Sequence, residues 1–384
     1  MENRRHTEPT LVFVILAIAL LLFLGVDRVK GAPIYTVTAV TVPGAGESMV
    51  MGINSAGAAA GYAVNAGQRT VAAAATGDGF SYLPLPAGAT ESKARSINDR
   101  GVVVGTSYSG GAAQATLWDA GGATRIGSLG GGDSYGTGVN NLGAVVGGSA
   151  TSGGQARAFL YEAGEWTDIG ADWAGGWSVA YDVSDSGQVA GYGQLPGGCF
   201  RGFTWNADEG MTVMGTLGGP NSYALAINSA GQAAGHAQLR GGAMHAVLWD
   251  GDVIGDLGTL GGGSSFAYDL NDWGDIVGYS WLAAGGGAHA FLFTGGVMLD
   301  LNSLLLPDSG WVLQEAYAIN NAGQIGGVGL YNGQRTGFRL DPLATALSFR
   351  AADVPTVHNP EPGTITLFAL GLGLIGLGIW RRKR

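Results

Sequence analysis

Three sets of side chains in this sequence are of types that carry chemistry. The first is acidic. Asp99, Asp185 and Asp272 directly follow Asn98, Ser184 and Asn271, and Asp182 and Asp269 stand two residues ahead of the latter two. Oxygen-rich turns can hold calcium, and two carboxylates about 5–9.5 Å apart can hydrolyse a glycosidic bond. No EF-hand or nonapeptide calcium motif is present, however, and the sequence does not place any two of these acids across a pocket. Turn aspartates more often accept a local backbone hydrogen bond. The second set is His245 and His289, which open the phrases "HAVLW" and "HAFLF". Their counterparts read Gln114, Arg157, Arg201 and Thr336, a variety that suits structural or surface positions better than a repeated ligand. The third set is aromatic. Trp118, Trp205 and Trp249 recur at what reads as the end of a fourth strand and belong to a core, whereas Trp173, Trp177, Trp273, Trp281 and Trp311 fall in turns or off the pattern. Exposed rings among those five are candidates for stacking on sugars. No Gly-x-Ser-x-Gly, His-Glu-x-x-His, P-loop or paired Cys-x-x-Cys occurs, so no catalytic residue, zinc site or nucleotide site is expected.

The elements that would position these groups recur. One phrase appears seven times, among them "INDRGVVVGT", "INSAGQAAGH" and "LNDWGDIVGY", with its polar position at Asn54, Asn98, Asn140, Ser184, Asn228, Asn271 and Asn320. The intervals are 44, 42, 44, 44, 43 and 49 residues. Repeats of about 40–45 residues with only strand-like content predict propeller blades of four strands. Within the repeat from Asp256 to Thr294, "DLGTL", "SFAYDLN", "DIVGYS" and "HAFLF" read as four successive strands. "NDWG" reads as a tight turn in which Asn271 bonds its own backbone two residues on and Gly274 adopts positive φ. Helical periodicity is absent, and glycine interrupts every turn of a would-be helix. Small residues stand four positions before each turn (Val50, Ala94, Gly136, Ala180, Ala224, Ala267, Ala316), which suits strands crowding near an axis. A glycine follows each turn, at Gly61, Gly105, Gly147, Gly191, Gly235, Gly278 and Gly326 or Gly327, as close backbone approach requires. The expected fold is all-β: a seven-bladed propeller of four-stranded antiparallel blades over 33–342, closed by "YTVTAVTV" against the last repeat. An open β-solenoid is the rival architecture.

Composition narrows the function. The chain has 384 residues, 71 of them glycine, with 46% hydrophobic and 12% charged residues and a formal charge of −10. Setting aside residues 1–32 and the last four leaves 11 basic against 26 acidic residues. So acidic a body repels phosphate backbones, and nucleic acid is not an expected partner. Cys199 is the sole cysteine and reads as strand packing.

Both ends read as membrane-directed. Arg4 and Arg5 precede an apolar run from Leu11 to Val26, the layout of a signal segment over 1–32 handled by the Sec machinery, with an uncleaved anchor as the alternative. After a linker over 343–359, Pro360, Glu361 and Pro362 stand before an uncharged stretch, 363–380, and then Arg381, Arg382, Lys383 and Arg384. Eighteen residues of helix are roughly 27 Å long, close to a bilayer core. The basic end sets the cytoplasmic side. The whole of 360–384 resembles the PEP-CTERM sorting signal of Gram-negative bacteria. That resemblance implies recognition and cleavage by an exosortase, a membrane-embedded cysteine transpeptidase, after passage through the inner membrane, and delivery to the cell surface or extracellular matrix. "GTLGG" (215–219 and 258–262) with "HAFLF" and "HAVLW" is similar to the HAF repeat of extracellular bacterial proteins. "VAAAAT" in the first repeat and "GADWAGGW" in the fourth depart from it, and "DLNSLLLPDSGW" before the seventh looks like a terminal unit. Neither resemblance implies a cofactor or a reaction. The expected function is non-enzymatic binding or structure within exopolysaccharide or biofilm matrix. The alternatives are an extracellular carbohydrate-active enzyme and a protein-interaction platform at the cell surface.

Overall fold

A computed structural model describes residues 35–343, apart from 76–78, 172 and 174. The signal segment, the linker beyond Leu343 and the helix expected at 363–380 lie outside the described residues. No helix among the described residues is long and apolar enough to cross a membrane.

The described chain forms seven four-stranded antiparallel sheets. Six are β-meanders of four consecutive strands and the seventh a meander of three, and the first strand of each meander touches those of the two neighbouring sheets, so these seven line the axis of a propeller. The inner strands are Ser48–Ile53, Glu91–Ile97, Gly130–Val139, Trp177–Val183, Gly218–Ile227, Gly261–Leu270 and Trp311–Ile319. The seventh blade takes its outermost strand from the start of the fold: Tyr35–Val40 pairs antiparallel with Gln334–Pro342, Tyr35 opposite Pro342 and Val40 opposite Gly337. The ring closes through this seam, as the "YTVTAVTV" segment predicts. Its core lies between blades. Ala60, Ala72 and Ala74 of blade one pack with Ala94, Ile97, Val103 and Trp118 of blade two, and six comparable clusters complete the circle. Stacking neighbours in this way buries faces that a single sheet would leave wet.

The small residues four before each turn are buried in all seven blades. The glycine after each turn has a steric cause. A Cβ on Gly61, Gly105, Gly147, Gly191, Gly235, Gly278 or Gly327 would lie 1.8–2.3 Å from the carbonyl oxygen of the inner-strand residue it crosses. That assigns the role in blade seven to Gly327.

The strand phase differs from the sequence reading. "SFAYDLN" belongs to the inner strand of blade six, "DIVGYS" to the second (Ile276–Leu282) and "HAFLF" to the third (Ala288–Thr294). The outermost is Val297–Asp300, while "DLGTL" is the end of the preceding blade's outer strand and the crossover. His245, His289, Trp118, Trp205 and Trp249 are therefore on third strands. The outer strands of blades four to six have four residues each and carry few buried groups, so they resemble connectors in sequence. The terminal-looking "DLNSLLLPDSGW" contributes a single 3-10 turn, Leu301–Leu304, capped by the Asp300 carboxylate through the Asn302 amide.

A tyrosine-lined channel and the rings that hold it open

All inner strands run the same way, which gathers seven turns at one end of the axis. Within each turn the asparagine Oδ1 accepts the amides two and four residues on, as in Asn98, which binds Arg100 and Val102 at 3.1 and 2.9 Å. The turn glycines take φ of 76–95°. Each side-chain amide then reaches outward: Asn54 donates to the Asn98 carbonyl, Asn98 to Asn140 and Asn140 to Ser184. Past a gap, Asn228 donates to Asn271, Asn271 to Asn320 and Asn320 back to Asn54, at 2.8–3.3 Å. Ser184 has no amide to give and breaks this circle between blades four and five. Asp99, Asp185 and Asp272 accept amides of the preceding blade's turn (Ser55, Asn141, Ser229) at 2.8–2.9 Å, so they bridge blades and are not local caps. Ser229 and Asn321 hold the Asp272 carboxyl below its ordinary range against the opposing effect of burial.

A third circle, unread in the sequence, is built from serine. Ser48, Ser92, Ser134, Ser178, Ser222 and Ser265 are buried, and each Oγ accepts a third-strand amide of the preceding blade at 2.8–3.1 Å. They stand six residues before the turn position in six of the seven blades, Gln314 taking that place in the seventh, so their period was visible in principle.

Between these circles the inner strands bulge. In every blade one residue, three before the turn position, drops out of register: Met51, Arg95, Thr137, Tyr181, Leu225, Tyr268 and Tyr317. A bulge re-aims a side chain, and all seven line an axial channel of about 640 Å³. Its wall is uneven. From blade four to blade seven a continuous aromatic arc runs Trp177, Tyr192, Tyr223, His236, Phe266, Tyr279, Tyr268, Tyr317, with successive ring centroids 4.8–5.7 Å apart; of these Tyr192, Tyr223, His236, Tyr268 and Tyr317 line the channel. Blades one to three contribute Met49, Met51, Tyr62, Arg95 and Thr137 instead. Burial raises the phenols of Tyr192, Tyr268 and Tyr317 far above their ordinary value, so they act as neutral donors and acceptors. It lowers the His236 imidazole to about 4, leaving the ring neutral near pH 7. At the end opposite the turns, Trp177, Tyr192, Gln194, Phe200 and Tyr223 line a hollow of about 460 Å³.

Asp182 and Asp269 also face the channel, and burial raises both carboxyls. Every one of their oxygens accepts a backbone amide: Asp182 from Val183 and Ile227, Asp269 from Leu270 and Ile319, at 2.8–3.0 Å. Asp182 thereby ties blade four to blade five, where the asparagine circle is open.

The five off-pattern tryptophans do not gather on one face. Trp177 alone lines the channel mouth. Trp173 is buried on Phe203, with its Nε1 donating to the Gln194 carbonyl. Trp311 stacks on Tyr331 within the wall between blades six and seven. Trp273 and Trp281 are exposed, the former on a turn with Nε1 donating to the Asn321 carbonyl. His245 and His289 pair with Asp256 and Asp300 at 2.9 Å on the adjacent outer strand, as Arg157 pairs with Asp168. Among the described residues no group of three or more His, Cys, Asp or Glu is placed to hold a metal ion. The sorting residues Pro360 to Pro362 and Arg381 to Arg384 lie outside the described residues.

Residues 360–383 match the PEP-CTERM protein-sorting motif. The motif implies export and exosortase-dependent sorting to the surface of a Gram-negative bacterium, and the propeller is the scaffold so delivered. Comparison with curated proteins gives no match. Solved structures with a similar course include TolB from Acinetobacter baumannii, at 11% identity and TM-score 0.40, covering 63% of this chain and 65% of that one. A puromycin-hydrolyzing peptidase of Mycobacterium tuberculosis matches at 12% identity and TM-score 0.48, over 80% of this chain and 52% of that one. The β-propeller domain of the trilobed protease from Pyrococcus furiosus matches at 14% identity and TM-score 0.44, over 67% and 84%. At such values these likenesses carry no functional argument.

Proposed function

We propose that the protein is a surface-sorted, non-enzymatic propeller that binds carbohydrate of the exopolysaccharide or biofilm matrix after exosortase removes its tail. The observation that carries this reading is the aromatic hollow at the channel mouth. Trp177, Tyr192, Phe200 and Tyr223 present ring edges and faces to solvent beside the Gln194 amide, a pairing of apolar faces with a polar handle that suits sugar rings. The sorting motif supports the same reading, because it directs the scaffold to where polysaccharide is found. The test compares three full-length chains in cells that make their own matrix: wild type, Trp177→Ala, and one lacking Pro360–Arg384. Wild type is expected in the matrix fraction, Trp177→Ala chiefly in the medium, and the tail-less chain away from the surface. Equal matrix retention of wild type and Trp177→Ala would refute binding at the mouth, and unchanged surface display without the tail would refute the route.

A further inference from the structure

The channel behind the mouth carries one cation, on an exposed side chain. Among the residues lining it Arg95 is the only cation, and its guanidinium has no hydrogen bond or ion pair with any described residue. Its field reaches across the lumen, where it opposes the burial-driven rise of the Tyr62 and Tyr192 phenols. The two acids lining the channel do not pair with it: Asp182 and Asp269 each engage both oxygens with backbone amides. His236 is packed between Tyr223 and Phe266, and its Nδ1 is buried without any hydrogen-bond partner.

We infer that the channel holds a monocarboxylated sugar, with its carboxylate on Arg95 and its ring along the tyrosine arc. The guanidinium presents a planar fork matched to a carboxylate. A lumen of about 640 Å³ is within the range that small ligands occupy. One cation matches one negative charge. The acidic body repels anions at distance, so recognition rests on this short-range pairing and selects against more highly charged ligands. The inference builds on the carbohydrate reading above and names its substrate class, a uronate.

The test is calorimetric titration of the full-length chain in neutral detergent micelles with free glucuronate, glucose and acetate. Wild type is expected to bind glucuronate at least tenfold more tightly than glucose. Arg95→Gln should erase that preference while leaving glucose binding within twofold and the melting temperature unchanged. Glucuronate binding no better than glucose, a preference that survives Arg95→Gln, or acetate binding as tightly as glucuronate would each overturn the inference. The two readings fail separately. Matrix retention that depends on Trp177 without a uronate preference sinks only the channel ligand, whereas retention indifferent to Trp177 sinks the mouth.

Discussion

The gap in the asparagine circle yields a substitution that should strengthen the protein. At Asn98 the side chain makes three hydrogen bonds: two amides accepted inside its own turn and one donated to the next blade. At Ser184 the hydroxyl accepts the Gln188 amide at 3.2 Å and shares a hydrogen bond with Ser186, and nothing from it reaches Asn228. Ser184→Asn keeps one accepted amide, adds the amide of residue 186 and the link to the Asn228 carbonyl, and gives up the hydroxyl pair. The net gain is about one buried hydrogen bond, or about 1 kcal/mol. Asn98→Ala removes three, a loss of about 3 kcal/mol. With an unfolding entropy of about 2.1 cal/mol/K per residue, a ring of this size shifts its midpoint by only ~1.5 °C per kcal/mol. Urea titration at pH 7 is therefore the better assay, with both variants read against wild type at constant slope. Ser184→Asn should move the midpoint upward and Asn98→Ala downward by about three times as much. A Ser184→Asn midpoint at or below wild type, with Asn98→Ala clearly destabilised, would refute the idea that the blades are latched one to the next through these amides.

Two other outcomes follow from the geometry. Gly105→Ala brings a Cβ within 2.0 Å of the Lys93 carbonyl oxygen, where only backbone could move aside, and should cost at least about 3 kcal/mol by urea titration. Gly46→Ala meets nothing within 4 Å and should stay within about 0.5 kcal/mol. Asp182 and Asp269 have carboxyls raised above the ordinary 3.8 by burial, so the folded state holds those protons more tightly than the unfolded chain. The stability they contribute is complete below that value and is lost as pH climbs through their folded values. Urea midpoints from pH 3.5 upward should thus fall more steeply for wild type than for an Asp182→Asn, Asp269→Asn double variant; parallel curves would count against buried, proton-retaining carboxyls.

Much of the fold could be read because the turn chemistry repeats. Asn98 and Gly101, or Asn271 and Gly274, make the same turn for the same local reason, so the period survives sequence drift. The phase of the strands was harder to read. In a closed ring any strand can serve as the first of a unit, and half-exposed outer strands such as Val253–Asp256 lack the buried residues that mark a strand. The channel was hidden for the opposite reason. Its residues are those that differ from blade to blade, Met51 in one and Arg95 or Tyr181 in others, so a search for recurrence passes over them. They stand between fixed neighbours, the small residue before and the turn after, and variation framed in that way is the signal that could have exposed them. The turn aspartates read as local because their partners are 42–49 residues away in the chain; equal spacing is what brings equivalent turns side by side.

The closing seam of blade seven has a mechanical consequence. Thr36 and Asp341 meet across 305 residues of chain, and because the seam is antiparallel, with Tyr35 opposite Pro342, both ways out of the ring leave from neighbouring points on its rim. Load pulling the two apart would act like a zip, parting six residue pairs in sequence from Tyr35 to Val40.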